Sequence, residues 1–290
     1  MSSTMEPFLP VELEQEIFQT SALLYPDCIP RLLLVAHRVL VWIEPILYRV
    51  ISLTGTEHSK LLLTFRTKPT DFLRTRVRHV FADIPGAAST FTVNQVLRRT
   101  TELQSLAVLS RTAPSVLDHL KPLRLQRLAI VLEPLFTEAG GTVDLTLPMF
   151  ASLTHLDLFD PLLNLTDGGW TSKLSVLPAL THLALSRDCI TSELDRVTTI
   201  FASCGERIRV FVLMDASGVQ LGQRGEEVMF VDDERCVIMS LSSQEYRRDW
   251  EVGVWGGADF WVRAERFVAK KRRGEIEPKS RHWIIPEDGI

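Results

Sequence analysis

Two histidines in a repeated tetrapeptide are the first candidates for chemistry. The sequence Leu-Thr-His-Leu occurs at 153–156 and again at 180–183, and Asp157 follows the first copy. His155, His182 and Asp157 are the residue types of a zinc site or, with an unseen nucleophile, of a hydrolase. A metal site needs further ligands and a second shell of hydrogen bonds, which the spacing does not supply. We therefore predict neither a metal nor a catalytic residue here; the alternatives are a protein contact or surface histidines duplicated with the repeat.

The remaining sequence lacks the common motifs that hold cofactors or nucleophiles. It contains no G-x-S-x-G, G-x-x-x-x-G-K-[ST], G-x-G-x-x-G or H-E-x-x-H. Its four cysteines are scattered without a C-x-x-C pair, which indicates reduced thiols. A net charge of -4 offers no global attraction to nucleic acid or to an anionic membrane. We predict a protein that is not an enzyme, carries no cofactor and binds neither nucleic acid nor membrane.

A repeated apolar pattern predicts the elements that position these histidines. The pattern is Leu-x-x-Leu-x-Leu with other apolar residues allowed, and its copies begin at Val77, Leu103, Leu125, Leu153, Leu180 and Ile208. Successive copies begin 22 to 28 residues apart, and each interval contains a plausible helix. A short strand and a helix, repeated, predict an α/β solenoid over residues 75–242, with a parallel sheet on one side and helices on the other.

Side-chain alternation along these strands predicts a concave face that binds a protein target. Leu156 and Leu158 point into the core, so the residues between them point to the opposite face. The expected target-binding side chains are Phe81, Leu109, Arg127, His155, Asp157, Phe159, His182, Val212 and Met214. The alternative is that a loop or the C-terminal helix covers the apolar end of this face, at Val210, Val212 and Met214.

The C-terminal region, residues 243–290, predicts a capping helix. Asp259 is a candidate N-cap, Gly274 can end the helix, and the basic run Lys270–Arg273 lies near its negative end. The apolar stripe of this helix comprises Phe260, Trp261, Ala264, Phe267 and Val268. The last repeat of a solenoid exposes core, so we expect the helix to cover that end. The basic run also has the composition of a nuclear-import or nucleic-acid patch, but we interpret it as the solvated end of the helix.

The N-terminal region, residues 8–52, predicts three short helices. Leu9-Pro10 precedes an amphipathic helix, a Pro-containing loop follows, and a last helical turn covers Pro45–Ile51. Helices this small bury little on their own, so we expect them to pack on the next domain or on a partner. The prominent side chains of this region are Leu9, Pro10, Leu13, Ile17, Phe18, Leu33, Val35 and Trp42.

This N-terminal series resembles the F-box, and the repeats resemble the leucine-rich-repeat family. The expected architecture is an F-box-like three-helix module, a short irregular leucine-rich-repeat solenoid and a C-terminal capping helix. The resemblance implies that the eight N-terminal side chains named above dock onto the adaptor subunit of a cullin-based (SCF-type) ubiquitin ligase. It also implies that the repeats recruit an unknown protein substrate.

An interaction scaffold without catalysis is the alternative function. In that case the F-box-like helices only cap the solenoid, and they bury Ile17, Phe18, Val35 and Trp42 against its first repeat. The first residues carry no secretory signal, so we expect a cytoplasmic or nuclear location and a monomer outside any complex.

Overall fold

An eight-stranded parallel sheet organises the computed structural model, which describes residues 9–55, 58–138, 140–161, 169, 171–187, 194–215 and 233–290. The strands lie side by side in chain order. They are β1 (Val50–Thr54), β2 (His79–Asp83), β3 (Ser105–Val108), β4 (Arg127–Ile130), β5 (His155–Leu158), β6 (His182–Arg187), β7 (Val210–Asp215) and β8 (Cys236–Ser240). The predicted α/β class is confirmed, and each of the six pattern copies overlaps one strand, from β2 to β7.

Helices occur before, between and after the strands. The α-helices of the described residues are α1 (Val11–Leu24), α2 (Ile29–Leu32), α3 (His37–Leu47), α4 (His58–Thr67), α5 (Thr70–Arg76), α6 (Ala88–Leu97), α7 (Leu117–Leu120), α8 (Pro134–Thr137), α9 (Leu194–Ser203), α10 (Ser243–Val254) and α11 (Phe260–Arg272). Short 3-10 turns cover Pro26–Cys28, Pro114–Val116, Pro148–Phe150, Thr171–Val176 and Pro286–Asp288. Among the described residues, no helix has the length and apolarity needed to cross a membrane.

The main core lies between one face of the sheet and helices α4 to α9. Leu128, Leu156 and Leu183 occupy equivalent positions of neighbouring strands and are fully buried. The backbone before β2 to β7 is equally regular: before β5, for example, the Gln126 carbonyl accepts the N–H groups of Thr154 and His155 at 2.9 and 3.1 Å. The apolar pattern therefore sets the register, because a shift by one residue would turn every leucine away from the core.

The opposite face of the sheet is covered by α10 and α11. Ser242 and Glu245 form a capping box at the start of α10, and the Asp259 carboxylate caps α11 by accepting the Val262 N–H at 3.0 Å. The predicted stripe of α11 is buried, as expected. Its predicted place is wrong, because the stripe packs on the face of the sheet and not on its end. Small side chains on that face, Ala107, Ala129 and Ala184, join the same apolar cluster.

The two ends of the sheet also differ from expectation. The helical turn predicted over Pro45–Ile51 is wrong at its end, because the helix that contains Pro45 ends at Leu47 and residues 50 and 51 belong to the edge strand β1. At the other end, the chain after α11 returns to β8. The Ile238 N–H donates to the His282 carbonyl at 2.7 Å, and the buried Arg281 and Asp288 side chains form a bidentate ion pair.

Candidate functional site

The N-terminal helices expose an apolar face. The side chains of Leu13 and Ile17 are 48% and 52% exposed on α1, and Val35, in the loop before α3, is 59% exposed. Leu9 and Pro10, at the start of α1, are exposed as well. Because Leu13 and Ile17 are four residues apart, they lie on the same side of the helix. Five of the eight predicted adaptor-binding residues therefore face solvent.

The other three predicted residues belong to the interior of this small unit. Phe18, Leu33 and Trp42 are half-buried and pack on a core of Ala22, Ile29, Val39 and Ile43. The rings of Phe18 and Trp42 lie 6.5 Å apart. These three residues can shape the face and hold the helices together, while Leu9, Pro10, Leu13, Ile17 and Val35 present it.

An ion pair fixes the helices that carry this face. The Arg38 guanidinium donates to both oxygens of the Glu14 carboxylate, at 2.7 and 3.0 Å. Glu14 lies in the first turn of α1 and Arg38 in the first turn of α3, so the starts of the two helices lie side by side. Trp255 and the Lys68–Glu44 ion pair link the unit to the rest of the chain. The apolar face itself remains outside that contact.

The predicted target-binding face is not an open surface. Phe81, Asp157, His182, Val212 and Met214 are buried under α10 and α11, and Leu109, Arg127, His155 and Phe159 are half-buried. Phe81, for example, lies 5.4 Å from the ring of Trp250 in α10. The expectation of an exposed concave face is therefore wrong, and the alternative that the C-terminal helix covers Val210, Val212 and Met214 is confirmed. The sequence signal missed here was the pair Tyr246 and Trp250, which share one face of α10.

The two histidines are neighbours, as the repeat predicted. Their rings stack with centroids 4.1 Å apart, and Trp261 of α11 meets both rings edge-on at 5.3 and 5.5 Å. Burial, and to a smaller degree the electrostatic effects of His182 and Arg127, lowers the pKa of His155 to about 2. Burial also lowers the pKa of His182, although Glu265, which hydrogen-bonds to its Nε2 at 3.0 Å, opposes that shift. Both rings serve as packing surfaces for α11.

Two further polar contacts tie the helices to the sheet. The Tyr246 hydroxyl donates to Asp157 at 2.6 Å, and burial raises the pKa of that carboxyl to about 7. Arg127 donates to Asp259 at 2.7 Å, so the residue that caps α11 is also an ion-pair partner of the sheet. The cavity beside Asp157 and His155 measures about 20 Å³, which accommodates about one water molecule.

No cluster of metal ligands forms among the described residues. Nowhere in that part of the chain do three or more His, Cys, Asp or Glu side chains converge on a possible ion. The basic run at the end of α11 is engaged internally: Lys271 donates to the Arg281 carbonyl, Arg272 pairs with Glu234, and Arg273 pairs with Glu275. Lys270 donates to the Asp288 carbonyl. The run therefore fastens the C-terminal tail to α11.

Comparison with known proteins adds no relative. No family model, no curated protein and no solved structure matches the chain. The resemblances to the F-box and to leucine-rich repeats therefore rest on the residues of this chain alone.

Proposed function

We propose that the chain is a substrate-recruiting adaptor of an SCF-type ubiquitin ligase. In this proposal the N-terminal helices form an F-box that docks onto the adaptor subunit of the ligase, and the remainder of the chain holds a target protein. The mechanism is proximity: tethering raises the effective concentration of target lysines near the ubiquitin carrier. No residue of this chain performs bond chemistry in it.

The exposed apolar face of the N-terminal helices carries the proposal. Leu13, Ile17 and Val35 are about half exposed or more on a unit that has its own small core. Leu13 and Ile17 adjoin on one side of α1, and exposed apolar patches of soluble proteins mark interaction sites. A pure capping role would bury Ile17, Phe18, Val35 and Trp42 against the first repeat. Ile17 and Val35 are exposed instead, while Phe18 and Trp42 pack within the N-terminal unit.

The sheet supports the second half of the proposal, an irregular leucine-rich-repeat solenoid. Its strands follow chain order, and the apolar positions of each pattern copy are paired with those of the next. This is the arrangement expected when each repeat buries its apolar face against its neighbours. Since α10 and α11 cover the other face, the target is expected to contact a different surface.

Co-purification with the ligase adaptor subunit tests the proposal. The full chain and the adaptor subunit are expressed together, and Leu13→Ser plus Ile17→Ser is expected to reduce the captured adaptor at least tenfold. Leu9→Ala plus Pro10→Ala should also reduce it. The matched control is Leu63→Ser plus Phe91→Ser, which removes two side chains that are 61% and 57% exposed on α4 and α6 and should leave capture unchanged.

One outcome of the same experiment would contradict the ligase role. If wild type and the control double variant are folded by circular dichroism and neither captures the adaptor subunit, the ligase role is excluded. The interaction scaffold would then be the better description of the chain.

A further inference from the structure

A cavity of about 490 Å³ lies where the N-terminal helices meet the start of the sheet. Its walls come from α1, from α3 and the residues after it, and from the segment that joins α5 to β2. The volume falls within the range of small-molecule sites, which is roughly 300 to 1,000 Å³. Each wall has a different chemical character.

The first wall is basic. Arg49 lies just before β1, Arg76 ends α5, and Arg78 lies just before β2. The backbone holds these residues together, because the Arg49 carbonyl accepts the Arg78 N–H at 3.0 Å. Arg78 is paired with Glu102 at 2.6 Å. The side chains of Arg49 and Arg76 have no hydrogen bond or ion pair with any described residue, so two guanidinium charges remain unpaired.

Helix α1 faces these arginines with amides and not with acids. Glu12, Glu14 and Glu16 give this helix three carboxylates, yet the two residues that line the cavity are Gln15 and Gln19. They are four residues apart and lie on the same side of the helix. Among the described residues no carboxylate lines the cavity, although the chain has more acidic than basic residues. The fold therefore leaves the compensating negative charge to a ligand.

The third wall is apolar and belongs to α3. Val41 with Pro45 and Trp42 with Ile46 are pairs of residues four apart, so they share one side of the helix. The indole of Trp42 offers a flat surface on which a planar ring can pack. A ligand that fills the cavity therefore combines an anion with a planar or apolar group.

A phosphate monoester matches the charge of the basic wall. At pH 7 it carries about -1.5 to -2 charges, which balances the two unpaired guanidinium groups of Arg49 and Arg76. Its terminal oxygens can accept paired hydrogen bonds from a planar guanidinium. A carboxylate carries a single charge and would leave one of the two arginines unpaired.

We propose that this cavity binds a small organic phosphate, in which a phosphate monoester is joined to a planar ring, as in a nucleoside monophosphate. Arg49 and Arg76 bind the phosphate, the amides of Gln15 and Gln19 donate to its oxygens, and the ring packs on Trp42.

Isothermal titration calorimetry on the full chain tests the proposal. The probes are the four common nucleoside 5′-monophosphates, and each is compared with its nucleoside, which lacks the phosphate. At least one monophosphate should bind with a dissociation constant below about 1 mM. Its nucleoside should bind at least tenfold more weakly, because the charge-assisted hydrogen bonds are lost.

Variants of the basic wall locate the site. Arg76 is exposed, so Arg76→Gln should fold normally and weaken binding of the tightest monophosphate at least tenfold. The matched control is Arg66→Gln, which removes the same charge from an exposed position of α4 outside the cavity and should bind within threefold of wild type.

Variants of the amide wall give a second measurement. Gln15→Glu plus Gln19→Glu supplies carboxylates to the same arginines, so it should also weaken binding at least tenfold. The added carboxylates pair with unpaired charges, and the midpoint of thermal unfolding should therefore not fall.

Three results would overturn the proposal. They are the absence of binding by all four monophosphates up to about 1 mM, equal binding of a monophosphate and its nucleoside, and equal effects of Arg76→Gln and Arg66→Gln. A phosphotyrosine peptide or a single-stranded decanucleotide that binds at least tenfold more tightly, and is lost in Arg76→Gln, would assign the cavity to a macromolecule instead. Concentration-dependent dimers in sedimentation that Arg76→Gln abolishes would assign it to a second copy.

The cavity is separate from the apolar face of the N-terminal helices. Residues 13 and 15 are about 200° apart around a helix, so Gln15 lies on the opposite side of α1 from Leu13 and Ile17. None of these measurements involves the variants at Leu13 and Ile17, and the ligase role is therefore tested independently.

Discussion

The N-terminal face and the covered face of the sheet are both apolar, yet only the sheet face is buried by other described residues of the chain. Phe81, Val212 and Met214 pack under Trp250, Phe260 and Trp261, so the sheet face is part of the folded core. Leu13, Ile17 and Val35 remain in solvent. The difference teaches that an apolar pattern identifies a surface that must be covered, while the covering group can be the same chain or a partner.

The largest predicted effect concerns the cover itself. Phe267 lies on the buried face of α11 and is fully buried, and Phe267→Ala should lower the free energy of unfolding by about 3 to 5 kcal/mol, since it leaves a cavity in a packed core. Urea denaturation followed by circular dichroism measures this change. A loss below about 1 kcal/mol would mean that the sheet face is not truly closed by α11.

The buried carboxyl of Asp157, at the same interface, predicts that the stability of the fold depends on pH. Its pKa is raised by burial to about 7, above roughly 3.9 for an unfolded Asp, so the fold binds this proton more tightly. That contribution to stability is full below about pH 4 and is lost as the pH rises towards 7. Asp157→Asn removes this loss of stability at higher pH. The free energy of unfolding of the variant minus that of wild type should therefore increase by roughly 2 to 4 kcal/mol between pH 4 and pH 7.

Urea titrations of both proteins at pH 4, 5.5 and 7 measure this difference. The titration of His155 and His182 is common to both proteins and cancels to first order. A stability difference that does not change with pH would show that Asp157 titrates normally and that its surroundings are wet.

The ion pair between the sheet and the cap of α11 gives an intermediate effect. Arg127→Ala leaves the buried Asp259 carboxylate without its charge partner and should reduce the free energy of unfolding by about 1 to 3 kcal/mol. Arg74→Ala, which breaks an exposed ion pair with Glu102, is the matched control and should stay below about 1 kcal/mol. Equal losses for the two variants in urea denaturation would argue against a sealed interface.

The smallest predicted effect is on the N-terminal face. Leu13→Ser plus Ile17→Ser should change the free energy of unfolding by no more than about 0.5 kcal/mol, because both side chains already contact water. Thermal and urea denaturation measure the change. A loss of 2 kcal/mol or more would show that this face supports the fold and would remove its interpretation as a docking surface.

Six of the eight strands were predictable from the apolar pattern, and the two edge strands were not. In β1, Tyr48, Ile51 and Leu53 follow the same spacing, but they directly follow a helix that contains Pro45 and read as its last turn. In β8, Cys236 and Ile238 keep the spacing, while Asp233 occupies the first apolar position. Edge strands pair on one side only, so weaker sequence signals are sufficient to place them.

The candidate sites likewise contain contacts that the sequence predicted and contacts that it did not. The helical spacing of Leu13 and Ile17 predicted their shared face, and strand alternation predicted that His155 and His182 are neighbours. Tyr246, Glu265 and the pairing of Arg127 with Asp259 were not predicted, since these contacts join residues that are far apart in the chain.

By itself, the sequence determined the α/β class, the register of β2 to β7 and the apolar faces of α1 and α11. These features follow from periodicities of 2 and 3.6 residues, which are local properties of the backbone. Only the tertiary structure decided that α11 lies on the face of the sheet, that the tail covers the edge of β8 and that β1, among the described residues, is an edge strand. Which apolar faces meet depends on the relative geometry of distant segments, and this is why one face is buried and the other remains available to a partner.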